Sequence, residues 1–140
     1  MTITPRADYW DAIAIDTNST GLTVGREWDG PTSSSFTLYV TSSAYSGNGD
    51  YVCQDGYASG IICNIKVTDD DVIWTGANGI DHRGVKGVQV DGGVAVRKGD
   101  SGGLVFANTG TTRQARGLVS GIGSGGSSNT PSFCQRAKQA

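Results

Sequence analysis

Nine residues, Lys98-Gly-Asp-Ser-Gly-Gly-Leu-Val-Phe106, restrict this chain more than any other stretch. Gly99, Gly102 and Gly103 leave the backbone free to take positive φ, which suits a sharp loop presenting Ser101. The Leu-Val-Phe run that follows is strand-forming, so the loop leads directly into a sheet. Such a loop can also aim the N–H groups of Gly99 and Ser101 at a single point. Two converging donors beside a hydroxyl are what acyl transfer requires, because negative charge develops on the carbonyl oxygen in the transition state. Short Gly/Ser/Asp strings also serve as plain turns between strands, and that reading stands beside the chemical one.

A chain of 140 residues supports one domain with a modest core. Twenty-two glycines and only 17% charged residues suit a loop-rich β protein better than a helical one. The formal charge is −2 and no Lys/Arg cluster occurs, so a nucleic-acid partner is not expected. No apolar run approaches the roughly 20 residues that cross a bilayer, and no membrane partner is expected. Met1 to Arg6 lacks the apolar core of a signal peptide, so the expectation is either a removed leader or no export by that route. Cys53, Cys63 and Cys134 show no metal-ligand spacing, and neither a metal site nor a cofactor is expected. Cys53 and Cys63 flank a glycine-containing segment and could close a small loop, which would imply an oxidising compartment. Cys134 is then left as a buried thiol or a partner for another chain.

Taken in order, residues 1–10 read as a tether and Trp10–Asp16 as a short buried strand. Residues 17–21 form a turn, and Leu22–Pro31 an extended connector. Ser35–Thr41 alternates cleanly as a strand, followed by a polar loop over Ser42–Asp50. Strands are expected from Tyr51, over Gly60–Val67, over Val72–Thr75 and over Gly84–Val90. Asp69-Asp-Asp71 lacks calcium-loop spacing and reads as a solvated turn. Gly103–Asn108 and Ala115–Ile122 pair across a polar turn at Thr109–Thr112. Residues 123–129 are Gly/Ser-rich, and Ser132–Ala140 is too short for a helix. Several short strands at close spacing point to a barrel or a sandwich. Tyr45, Tyr51 and Tyr57 would have to be exposed for a carbohydrate- or surface-binding domain, whereas aromatic strand residues are more often core.

The serine loop resembles the nucleophile loop of chymotrypsin-family serine proteases, and other stretches resemble the secreted bacterial branch of that family. Tyr51-Val-Cys-Gln-Asp-Gly-Tyr-Ala-Ser-Gly-Ile-Ile-Cys63 is similar to a segment that the family closes as a disulfide. Val24-Gly-Arg-Glu-Trp-Asp-Gly30 resembles the connector between the family's two barrels, and Asp11-Ala-Ile-Ala-Ile15 the segment carrying the triad aspartate. Together these span roughly residues 10–125. The resemblance implies an all-β fold: a six-stranded antiparallel Greek-key barrel, the second half of a chymotrypsin-like double barrel. Residues 1–30 would be tether, aspartate-bearing strand and connector, and residues 31–140 the barrel.

The same resemblance implies roles, which follow the family's serine–histidine–aspartate triad. Ser101 would be the nucleophile, Gly99 and Ser101 the oxyanion donors, and Asp11 the residue orienting the histidine. Ser120, Gly121 and Ile122 would align substrate backbone. Ala95 would lie at the base of the primary pocket, with Lys98 beside it, and the absence of a carboxylate at Ala95 predicts an apolar side chain there. Cys53 and Cys63 would be bridged, the substrate would be a polypeptide, and the location extracellular.

Two departures matter. The family's histidine precedes its aspartate on the first barrel, yet only ten residues precede Asp11 and none is histidine. The sole histidine, His82, reads as a loop or strand-edge residue. A serine without a base is a poor nucleophile at neutral pH. The chain therefore reads as the nucleophile-bearing half of a serine endopeptidase, weak or inactive without a histidine-bearing partner. The alternative is a non-catalytic protease-like barrel that binds peptides or partner proteins. A half-barrel also leaves an apolar face, so self-association or a bound histidine-bearing half is expected. The second departure is Gln54, which stands where bacterial members place an arginine that pairs with the serine-loop aspartate. Asp100 must then find another partner, with Arg97 and Arg116 as candidates.

Overall fold

The computed structural model describes residues 2–3, 15–17, 19, 21, 24–76, 78–122 and 131–134. Among them every regular element is a strand: β1 (Thr2–Ile3), β2 (Ile15–Asp16), β3 (Arg26–Trp28), β4 (Thr37–Ser43), β5 (Tyr51–Gly56), β6 (Gly60–Thr75), β7 (Asp81–Gln89), β8 (Leu104–Asn108), β9 (Arg113–Ile122) and β10 (Pro131–Cys134). β5, β6 and β7 follow one another as antiparallel hairpins, and β8 returns to pair with β5 rather than β7. Three hairpin-linked strands with the fourth beside the first is the Greek-key arrangement. β9 pairs with β8, and β10 lies antiparallel to both β9 and β7. The order β5–β6–β7–β10–β9–β8 thus leads back to β5, giving the expected six-stranded antiparallel Greek-key ring.

The ring's interior is almost wholly valine. Val52, Ile65, Val67, Val85, Ala95, Val96, Val105 and Val119 form one buried cluster drawn from β5 to β9 and the serine-bearing loop. β6 contributes the alternate positions Ile65 and Val67, as a pleated strand with one buried face demands, and β5, β7, β8 and β9 one valine each. Outside the ring, β4 pairs in parallel with β9, and β3 pairs antiparallel with β4. The parallel contact departs from an all-antiparallel sheet, but it lies beyond the ring itself.

Several sequence expectations need correction. Asp69–Asp71 is not a turn: β6 runs unbroken through it, with register shifts between Val67 and Asp69 and between Asp69 and Val72. Bulges of this kind bend a strand without ending it, so two expected strands are one. The aspartates face solvent, and Arg83 of β7 forms an ion pair with Asp71. β4 extends to Ser43, taking in the start of the expected polar loop, and β7 begins at Asp81 rather than Gly84. β10 falls in a stretch to which alternation assigned no strand. Tyr45, Tyr51 and Tyr57 are exposed rather than core. Most of the expected Trp10–Asp16 strand lies outside the described residues.

Candidate functional site

The loop from Arg97 to Gly103 is built around a buried carboxylate. Asp100 is 0% exposed, and its side chain accepts four hydrogen bonds. Ala58 N and Ser59 N donate to Oδ1 at 3.0 and 2.9 Å, while Ser59 Oγ and Arg97 N donate to Oδ2 at 2.6 and 2.7 Å. A buried charge is tolerable only when its lone pairs are met in this way. The partner of Asp100 is therefore the β5–β6 turn, supplemented by the backbone of Arg97, and not an arginine side chain. The Arg97 guanidinium instead reaches Ser59 Oγ at 3.2 Å. Arg116 is engaged elsewhere, with Asp50 Oδ2 at 3.1 Å and the Tyr45 carbonyl at 2.8 Å. Gln54 is buried on β5, its Nε2 donating to the Gly60 carbonyl.

With Asp100 anchored inward, its neighbours face outward. Ser101 is exposed and lies between Gly99 and Gly102, whose φ values of 104° and 84° place both in the region that favours glycine. Asp100 N donates to the Arg97 carbonyl, Gly103 N to the Asp100 carbonyl, and Gly102 N to the Val119 carbonyl. Among the described residues no acceptor meets Gly99 N or Ser101 N. Gly103 is required by close approach, since a Cβ there would stand 2.4 Å from the Asp55 carbonyl oxygen and 2.9 Å from that of Asp100.

The remaining expected positions distribute as follows. Val119 N donates to the Gly103 carbonyl at 2.9 Å, so β9 is tied to the serine loop just before Ser120. Ser120 and Gly121 are half-buried and Ile122 is exposed at the end of β9. Ala95 sits in the valine core and Lys98 is exposed. Cys53 and Cys63 are joined by a disulfide, which ties β5 to β6 beneath the turn that holds Asp100. Asp11 lies outside the described residues. His82 is buried on β7, in register with Trp74, its ring centroid 5.8 Å from that of Trp74. The turn that grips Asp100 joins β6 at Gly60, and Trp74 lies near the other end of β6. At about 3.3 Å per residue that is on the order of 45 Å of strand path. His82 thus sits beside the β6–β7 turn, at the opposite end of β7 from the one that leads into the serine loop.

A second polar region adjoins the first. Arg113, Glu27 and Asp29 come together where β3 meets the start of β9. Arg113 Nε lies 2.7 Å from Glu27 Oε1, without its N–H aimed at that oxygen, and Nη2 lies 3.1 Å from Asp29 Oδ1. The guanidinium also stacks over Phe106, 5.0 Å from the ring centroid. Burial raises the Glu27 carboxyl to about 7, the Arg113 guanidinium opposing this and the Asp55 and Asp29 carboxylates adding to it. Burial likewise pushes Asp55 up, with Asp29 and Asp100 contributing. Asp55, Gly56 and Tyr57 line a cavity of about 450 Å³ whose other wall is Trp28, Pro31 and Thr32. Sequence reasoning missed this cluster and missed Ser59. The sequence assigned Ser59 no role, and only the unexplained partner of Asp100 hinted that the β5–β6 turn held something.

An all-β ring in Greek-key order, with a glycine-framed serine between its third and fourth strands, is a protease-like architecture. Comparison with solved structures makes this specific: the chain has the chymotrypsin-like fold. It matches a glutamic-acid-specific serine protease at a TM-score of 0.63 and 18% identity, over 88% of this chain and 58% of that one. The protease NAPase of Nocardiopsis matches at 0.60 and 21%, over 79% and 53%. The chymotrypsin of Cellulomonas bogoriensis matches at 0.58 and 23%, over 80% and 54%. The chain spans between half and three-fifths of the length of these structures. No protein-family model matches it, and no curated protein matches it in sequence.

Proposed function

We propose that this chain is the nucleophile-bearing half of a serine endopeptidase, hydrolysing peptide bonds through an acyl-enzyme at Ser101. Ser101 Oγ attacks the scissile carbonyl carbon, and the oxygen that becomes negative is received by Gly99 N and Ser101 N. A histidine supplied from outside these 140 residues takes the hydroxyl proton and returns it to the leaving amine, with Asp11 orienting that histidine. Ser120, Gly121 and Ile122 align the substrate backbone; exposed Lys98 stands beside the serine loop, and buried Ala95, bringing no carboxylate, lies behind a primary pocket that takes an apolar side chain. The observation that carries this reading is the serine loop: an exposed hydroxyl between two positive-φ glycines, flanked by two unengaged N–H groups, above a fully buried aspartate.

The exposed Trp28, Phe36 and Tyr39 of the β3–β4 hairpin supply the face for a histidine-bearing half or a second copy of this chain. The Cys53–Cys63 bridge favours an extracellular setting. A non-catalytic peptide-binding barrel is the second reading, and the placement of His82 at the far end of the β6–β7 hairpin is what favours it.

The test supplies the missing base in solution. With added imidazole, a fluorophosphonate probe forms an Oγ–P bond at Ser101, fluoride leaves, and imidazole carries away the proton. The expected result is slow labelling of the chain, accelerated by imidazole, abolished in Ser101→Ala and unchanged in His82→Ala. A folded chain that shows no Ser101-dependent adduct even at high imidazole would leave only the binding reading.

A further inference from the structure

We propose that Ser59 is a positioning residue for the Gly99 and Ser101 N–H donors, acting through Asp100; the catalytic side of this role rests on the function proposed above. Ser101 N lies in the peptide that follows Asp100, and Gly99 N in the Lys98–Gly99 peptide one residue further back. The anchored Asp100 side chain therefore sets the first donor directly and the second through Gly99, whose peptide to Asp100 is held by Asp100 N donating to the Arg97 carbonyl. Three of its four hydrogen bonds come from the β5–β6 turn, and two of those come from Ser59. Among the described residues Ser59 Oγ is the sole side-chain donor to the carboxylate; the other three are backbone N–H groups.

The hydroxyl also has a second face. Arg97 Nη1 donates to Ser59 Oγ at 3.2 Å while that oxygen donates to Asp100 Oδ2 at 2.6 Å. Among the described residues no cation touches the carboxylate directly, so the serine relays a positive charge to it. A hydroxyl that accepts from a cation donates more strongly, and in a buried setting such chains reinforce one another. The turn leaves no slack for a different arrangement, because a Cβ at Gly56 would stand 2.4 Å from Asp100 Cγ. Removing Oγ leaves Oδ2 with the Arg97 N–H alone and cuts the guanidinium off from the carboxylate. The buried charge then has to turn toward other donors, and the loop turns with it.

The experiment compares Ser59→Ala with Ser59→Thr, which keeps the hydroxyl. Amide ¹H–¹⁵N spectra should show the Gly99 and Ser101 resonances displaced or broadened in Ser59→Ala while those of β7 and β8 stay in place. Imidazole-assisted fluorophosphonate labelling should fall at least ~10-fold, as expected when an oxyanion donor is misaimed rather than deleted. Ser59→Thr should return both readouts to within about twofold of the parent. Parent-like Gly99 and Ser101 resonances in Ser59→Ala, or no rescue by threonine, would overturn the proposal. Should Ser59→Ala not fold, Arg97→Met breaks the same relay from its exposed end. It must displace the same two resonances, and unmoved resonances would overturn the proposal equally. If the parent chain is never labelled, the endopeptidase reading fails, while the amide spectra still decide the role of Ser59.

Discussion

Raising the pH from 4.5 to 7.5 should weaken this protein, and Glu27 should account for most of the loss. Glu27 is 6% exposed, and burial lifts its carboxyl from 4.5 to about 7 against the pull of Arg113. Between those values the folded chain holds a proton that the unfolded chain has already released. The stabilisation is therefore complete below pH 4.5 and is lost as the pH climbs through about 7. At 1.36 kcal/mol per pKa unit the interval corresponds to about 3 kcal/mol as an upper limit. Asp55 is raised as well and tilts stability the same way. Asp50 and Asp71 are held below 3.8 by hydrogen bonds, so their stabilisation is lost only at lower pH, outside this window. Urea unfolding followed by tryptophan fluorescence at pH 5 and pH 8 measures the effect. The parent should lose up to about 3 kcal/mol between them, and Glu27→Gln should lose most of that dependence. A parent whose stability is flat or rising over this range, or a Glu27→Gln variant with an undiminished slope, would refute the reasoning.

Two further outcomes follow from the same contacts. Gly103→Ala forces a methyl against the Asp55 and Asp100 carbonyl oxygens, both backbone atoms, and should cost about 1–3 kcal/mol in urea unfolding while reducing Ser101 labelling. Cys53→Ser/Cys63→Ser opens a loop of sequence separation 10 and should cost about 3 kcal/mol on the chain-entropy account. Reductant should reproduce that loss in the parent and leave the double variant unchanged.

The glycines of the serine loop and the strands β5, β8 and β9 were legible because their signals are local, whereas the Cys53–Cys63 bridge was expected from the family resemblance. Glycine at 99 and 102 is a statement about φ at those two positions, and the structure uses both at positive φ. Alternation in Gly84–Val90 marked a strand, but it gave the buried face only in part: Val85 is buried, yet so is Gln89, while Val90 is exposed. Where the signal was local but ambiguous, the reading failed. Three successive aspartates resemble a turn, yet β6 carries them through bulges because β7 supplies a continuous partner and Arg83 meets Asp71.

By itself, then, the amino-acid order determined that the chain would be a β-structure with one conspicuous serine lifted on glycines. It could not say that Pro131–Cys134 bridges β7 and β9, because four residues carry no periodicity and only the two waiting edges define the strand. Nor could it choose the partner of Asp100. Two arginines stood nearby in sequence or by analogy, but a fully buried carboxylate takes whatever donors the packing brings within 3 Å. Those proved to be the Ala58–Ser59 turn, about forty residues back along the chain. Glu27 shows the same division: its charge is written in the chain, but its elevated pKa comes from burial once the ring has formed, against the pull of Arg113. Local conformation and hydrophobic face depend on neighbours in sequence. Strand closure, burial of charge and hydrogen-bond partnership depend on neighbours in space, and those exist only once the ring has formed.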